Sequence, residues 1–146
     1  MTTLPPTPLL GAALWYAARG VRVFPLRPHD KKPLRPGWPD EATTDAATIR
    51  AWWTSTPAAN IGALMGDPFD VVDLDSADAI TDARRRLGGD WPTNLGIVRT
   101  PRKNGLHAWI PSTGRPRAIG VLPGVDWLGA GGYVVCAPSV IRWDDD

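Results

Sequence analysis

Val71-Val72-Asp73-Leu74-Asp75 sets two carboxylates into a run that otherwise reads as a core strand. Side chains alternate faces along a strand, so Asp73 and Asp75 project one way and Val72 and Leu74 the other. Acids side by side on an apolar element repel each other unless a cation lies between them, and hard oxygen ligands suit a divalent ion. The competing explanation is that the pair marks the end of the strand, with Asp75 or Ser76 capping the next helix. Capping accounts for Asp75 but leaves Asp73, set among Val71, Val72 and Leu74, unexplained. A cation held here points to phosphate chemistry, which directs attention to a third acid, a phosphate grip and a nucleic-acid surface.

Working outward, Ser76 is placed to cap a helix over Ala77 to Leu87 that Gly88-Gly89 terminates. Upstream, residues 9–19 read as a helix with Leu10, Leu14 and Ala17/Ala18 at helical spacing and Gly20 as its stop. Val21 to Leu26 is a short strand, followed by the Pro-rich basic loop Arg27 to Pro33. Thr44 to Thr54 is a second helix, capped by Thr44 or Asp45, with Ile49, Trp52 and Trp53 on its apolar side. Asn60 to Met65 is the strand before the acidic one. Downstream, Leu95 to Thr100, Leu106 to Ile110, Val125 to Leu128 and Tyr133 to Ala137 read as strands. The fold class is mixed α+β (α/β), with helices early and a strand-rich second half carrying the acids.

The chain has 146 residues, which bounds it to one domain of ordinary size. A hydrophobic share of 43% with 21% charged residues is that of a soluble globular protein, and no apolar run approaches membrane-spanning length. The single cysteine, Cys136, excludes an internal disulfide and fits a reducing cytoplasm. With only His29 and His107 beside it, a thiolate metal site is excluded too. Of the 16 basic residues, 13 are arginine, whose planar fork binds oxyanions bidentately. That arginine bias also follows from a GC-rich genome, so charge alone does not establish a nucleic-acid partner.

Other positions carry weaker signals. Asp126 in Gly124-Val125-Asp126-Trp127-Leu128 is an acid in a strand-like setting, and taken alone it reads as a turn Asp before Gly129-Ala130-Gly131-Gly132. Joined to Asp73 and Asp75 it would complete a two-metal phosphoryl-transfer site. His107, one face with Trp109 in Gly105-Leu106-His107-Ala108-Trp109-Ile110, reads alone as a hydrogen-bonded structural residue; its functional reading is a donor to a triphosphate oxygen. Arg99, Arg102 and Lys103 form a basic turn before it, suited to phosphate or simply solvated, and Lys31 and Lys32 invite the same two readings. Trp38 and Trp109 suit base stacking or core packing, with packing the default among eight tryptophans.

In this order the pieces resemble the N-terminal domain of bifunctional primase–polymerases (Prim-Pol), in the archaeo-eukaryotic primase superfamily. The resemblance runs over residues 9–141. It begins with the Ala-rich helix and Gly20 to Leu26, then takes in Lys32-Pro33, Gly37-Trp38, the helix ending in Trp52-Trp53, and Asn60-Ile61-Gly62. Asp73-Leu74-Asp75 matches the first catalytic motif, Gly105-Leu106-His107 the motif ending in histidine, and Gly124-Val125-Asp126 the third. Gly131 to Val135 and Pro138-Ser139 follow. Gly105 stands where a serine often precedes the histidine, and the Thr100-to-His107 spacing is about one residue longer than the family pattern.

The resemblance implies a small α/β module packed on an RNA-recognition-motif-like, mostly antiparallel sheet, with the active site in the cleft between. It implies that Asp73, Asp75 and Asp126 hold Mg²⁺ or Mn²⁺, that His107 contacts the nucleotide phosphates, and that Lys32 and Arg99 bind nucleotide. The implied activity is DNA primase or polymerase chemistry joining NTPs or dNTPs on a single-stranded or primed DNA template. The resemblance also implies DNA replication as the setting, whether phage, plasmid or chromosomal, with a C-terminal helicase domain or separate helicase as a candidate partner and no membrane. On this view residues 1–8 are a flexible leader, 9–141 the catalytic domain, and 142–146 an acidic tail or truncation point. Two rival readings are a replication module that binds nucleotide or DNA with limited catalysis, and a metal-dependent nuclease or ligase-like enzyme.

Overall fold

The computed structural model describes residues 7–88, 96–100 and 104–142. In chain order the elements are α1 (Pro8–Ala17), β1 (Val23–Leu26), α2 (Trp38–Glu41), α3 (Ala46–Ser55), β2 (Asn60–Leu64), β3 (Phe69–Leu74), α4 (Ala77–Leu87), β4 (Gly96–Arg99), β5 (Leu106–Pro111), β6 (Ala118–Leu122), β7 (Val125–Leu128) and β8 (Tyr133–Cys136). The chain is α+β, and every pairing between these strands is antiparallel. It divides into two compact units, one running to Leu64 and resuming at Tyr133, the other spanning Met65–Gly132. Among the described residues no helix is long and apolar enough to cross a membrane.

In the first unit, α1 starts where Thr7 caps it and Pro8 takes a first-turn position that has no backbone partner to lose. Asp45 caps α3 by accepting both the backbone N–H and the hydroxyl of Thr48, at 3.0 and 2.6 Å. Those two bonds hold its carboxyl below the usual range. Ile49 and Trp53 are the buried face of α3, and the Trp53 indole donates to the Ala59 carbonyl at 2.8 Å. The sheet has the order β1-β2-β8, with every residue of β1 and β2 buried. Gly62 is required there: a methyl group would stand 2.6 Å from the Phe24 ring. Asn60, wholly buried, ties two loops to the sheet by donating to the Asp30 and Val140 carbonyls and accepting the Val140 N–H. Trp38 stacks on Phe24 at 4.9 Å and meets Tyr133 edge-on, so packing rather than free display describes it.

The second unit is a five-stranded sheet of order β4-β5-β3-β7-β6, with β3 at its centre. One face carries Leu74, Leu106, Ala108 and Val125, which pack with Ala79 and Ala83 of α4, flanked by Val72, Ile80 and Leu122. The Ser76 hydroxyl caps α4 by accepting the Ala79 N–H, and Gly88 closes it in the left-handed conformation at φ 79°. Arg84, Arg85 and Arg86 occupy its last turn, where cations oppose the negative end of the helix dipole. Sequence reading placed this helix, β7 and the centre of β3 correctly. It did not foresee α2 or β6, and it extended the expected strand before Thr100 to Leu95, which lies outside the described residues.

Candidate active site

Register decides what surrounds Asp73. On one side it pairs with His107 of β5, and on the other with Asp126 of β7. Residues directly opposite in an antiparallel pair share a face, so His107, Asp73 and Asp126 form one row across three strands. Val72 and Leu74 point to α4, so this row lies on the face turned away from that helix. Three strands spread over some fifty residues of chain thus deliver an imidazole and two carboxylates to a single line. His107 Nε2 is 3.6 Å from Asp73 Oδ1, with the two side chains 15% and 29% exposed. That separation is an electrostatic contact when the imidazole is protonated and is too long for a hydrogen bond.

Asp126 is held from its outer side. Its Oδ1 accepts the Gly120 N–H of β6 at 2.8 Å. Asp75 stands one step beyond the end of β3, where its N–H donates to the Gly124 carbonyl at 3.0 Å. Its carboxylate lies over Gly124: a methyl group there would be 2.7 Å from Asp75 Oδ1 and 3.0 Å from Ala79 Cβ. This aims it at the first turn of α4, into a groove shared with Ser76, Asp78 and Asp82. The structure therefore brings Asp73, Asp126 and His107 together and leaves Asp75 turned aside. Among the described residues no three His, Cys, Asp or Glu side chains converge as a ready-made metal cage.

The basic candidates divide differently. Arg99 pairs with Leu106, and it is Val98 that pairs with His107. The ladder thus sets Arg99 on the face shared with Leu106 and α4. Lys32 belongs to the first unit, where its carbonyl accepts the Arg27 N–H at 2.8 Å and fixes the loop after β1. Arg102 and Lys103 lie outside the described residues. Trp109 meets Phe69 edge-on at 5.9 Å. Gly105 has a local reason to be glycine: a methyl group would approach the Leu74 carbonyl oxygen to 2.5 Å and Thr100 Oγ1 to 2.7 Å.

Two residues of this neighbourhood escaped sequence reading. Asp70 is fully buried in β3 and its Oδ2 accepts from the Thr113 hydroxyl (2.6 Å), the Thr113 N–H (3.2 Å) and the Trp127 indole (3.1 Å). Its Oδ1 is buried without a hydrogen-bond partner. By gripping Trp127, Asp70 ties β7 to β3 at the residue next to Asp126. The signal was available: Asp70 between Phe69 and Val71 is as anomalous as Asp73. Gly120 was the other, a lone glycine in the apolar run Ala118 to Leu122, which marks a bulge.

An α+β chain with a row of acids on an antiparallel sheet is the class that this geometry defines. The chain matches the family described as bifunctional DNA primase/polymerase, N-terminal (Prim-Pol), over residues 13–146, and it belongs to that family. Primase/polymerase-type activity, a DNA template, nucleotide substrates and divalent-metal dependence are properties of the family. Among curated proteins no relative matches the chain.

The donor set at the row fits such a metal in part. Asp73 and Asp126 offer hard oxygen donors on adjacent strands, where directly opposite Cβ atoms lie about 4.5–5.5 Å apart. Two anions so placed destabilise the sheet, and a divalent cation between them would reverse that sign. Asp75, as oriented here, does not join them.

Proposed function

We propose that this protein is a divalent-metal-dependent, template-directed nucleotidyltransferase that joins NTPs or dNTPs on DNA, working at the row His107–Asp73–Asp126. The observation that carries the reading is the double register of Asp73, with an imidazole opposite on one side and a carboxylate on the other. Asp73 and Asp126 would hold Mg²⁺ or Mn²⁺, and Asp75 would join them on rotating away from Gly124. When bound, the metal would lower the charge on the triphosphate and the pKa of the attacking hydroxyl. His107 sits at the end of the row with its Nε2 toward the acids, suited to donate to a phosphate oxygen and to orient the nucleotide. The sheet supplies rigidity: both flanking strands are bonded to β3, so the spacing of the three groups does not depend on a loop.

The assignments of Lys32 and Arg99 to nucleotide rest on the resemblance, as do the RNA-recognition-motif likeness of the sheet and the limits 9–141 of the catalytic domain. A helicase partner, a phage or plasmid setting and a cytoplasmic location belong to the same reading. The second reading, a nucleotide- or DNA-binding replication module of limited catalysis, draws on the position of Asp75 away from the row. The experiment is extension of a primed DNA template with labelled nucleotides and Mn²⁺ or Mg²⁺. Extension that a chelator abolishes is the expected result; chelator-resistant extension defeats the metal assignment, and binding without extension favours the module.

A further inference from the structure

We infer that Gly120 is a positioning residue for Asp126: a bulge in β6 aims the Gly120 peptide N–H at the Asp126 carboxylate and sets its direction. The inference rests on the proposed reading of Asp126 as a metal ligand. Its observations are independent of the family. Ala118 pairs with Trp127 and Leu122 with Val125, so Ile119, Gly120 and Val121 of β6 span the single residue Asp126 of β7. In a regular ladder an edge-strand N–H that faces its neighbour meets a backbone carbonyl. Here the extra residues redirect it to a side chain, at 2.8 Å from Asp126 Oδ1.

The backbone is shaped for this contact. Gly120 has φ 67°, a left-handed conformation that glycine adopts without steric strain, and beyond its chain neighbours no heavy atom lies within 4 Å of where its Cβ would be. Conformation, not crowding, is therefore what selects glycine. The hairpin does not need the bulge for closure, because the turn joining β6 to β7 is made at Pro123 and Gly124. Ile119 and Val121, on either side of Gly120 in this edge strand, are 59% and 46% exposed. With Oδ1 tied to Gly120, rotation of the Asp126 carboxylate is restrained and Oδ2 remains free of that bond.

Two measurements on the full chain test this. Gly120 is exposed, so its amide owes any slow hydrogen exchange to Asp126. Exchange followed by NMR is expected to be slow in the wild type and fast in Asp126→Ala; equal rates overturn the inference. Mn²⁺ binding, read from the free-ion EPR signal without nucleotide, then gauges the consequence. Gly120→Asn keeps the N–H and tolerates positive φ, so it should bind within about twofold of wild type. Gly120→Pro deletes the donor and cannot adopt the positive φ, so it should bind about 10–100-fold more weakly, the usual effect of losing an outer partner of a metal ligand. A folded Pro variant with wild-type affinity overturns the inference. If thermal unfolding shows the Pro variant not to fold, Gly120→Ala, which keeps the donor but resists the conformation, is expected between the two, and parity with Asn overturns it. Wild-type protein that binds no Mn²⁺ defeats the metal reading instead, and the exchange contrast alone then judges the Gly120–Asp126 bond.

Discussion

Removing the Asp70 carboxylate should destabilise the protein far more than its distance from the chemistry suggests. Asp70 is 0% exposed and receives three hydrogen bonds on one oxygen. In Asp70→Ala those donors lose their acceptor and a small cavity opens between β3 and β7. Thr113 is exposed, so its N–H and hydroxyl recover water and cost little. The Trp127 indole is half-buried, and an unsatisfied buried donor costs about 1–3 kcal/mol. Adding the cavity, and setting against it the relief of the unpartnered Oδ1, leaves a total of about 3 kcal/mol, a large share of ordinary domain stability. Asp70→Asn preserves the acceptor and the shape, and its loss should stay near about 1 kcal/mol. For a chain of this length each kcal/mol moves Tm by about 2–4 °C, so calorimetry should find Asp70→Ala lower by about 6–12 °C and Asp70→Asn by a few degrees. An alanine variant within about 1 kcal/mol of wild type in urea unfolding would refute the reasoning, because it would mean that the buried bonds contribute nothing net.

Three further outcomes follow from the geometry. His107→Ala removes one charge-assisted donor to phosphate, so steady-state kinetics should show the nucleotide KM rising about tenfold while template affinity holds; an unchanged KM returns His107 to a structural role. Asp73→Asn relieves the repulsion across the Asp73–Asp126 pair, so in chelator the variant should unfold at the same or a higher temperature, by up to about 1 kcal/mol. Tyr16 donates to the Ala137 carbonyl at 2.8 Å, and burial, with Cys136 beside it, raises its hydroxyl to about 12 from 10. A raised folded-state value means stability that is present below pH 10 and lost as pH climbs from 10 to 12, so Tm should fall in that window and fall less in Tyr16→Phe.

What could be read from residues alone divides along local and non-local lines. Ser76 and Gly88 bracket α4 because capping is decided within a turn of helix, and the sequence places both. Asp73 stood out because a charge among valines has no cheap local explanation. Its neighbours were another matter: nothing in Gly124 to Leu128 says that Asp126 lies opposite Asp73 rather than elsewhere on a sheet, and only the family resemblance grouped them. The strand β6 was missed because Gly120 breaks the alternation that identifies strands, and the break itself is the bulge. Asp75 was expected on the face of Asp73 by strict alternation. Alternation ends with the strand at Leu74, and the turn into α4 carries the carboxylate toward Gly124 instead. The return of β8 to the sheet of β1 and β2 joins segments some seventy residues apart, a pairing that no local pattern encodes.

Primed-template extension by Asp73→Asn probes the central claim most directly. The isosteric change leaves the register with His107 and Asp126 intact and removes only the anionic ligand at the middle of the row. Activity should fall by more than about 100-fold, beyond the effect of losing an outer partner, in a protein that melts no lower than wild type. Extension at the wild-type rate would contradict the account, because the row could not then be where nucleotides are joined.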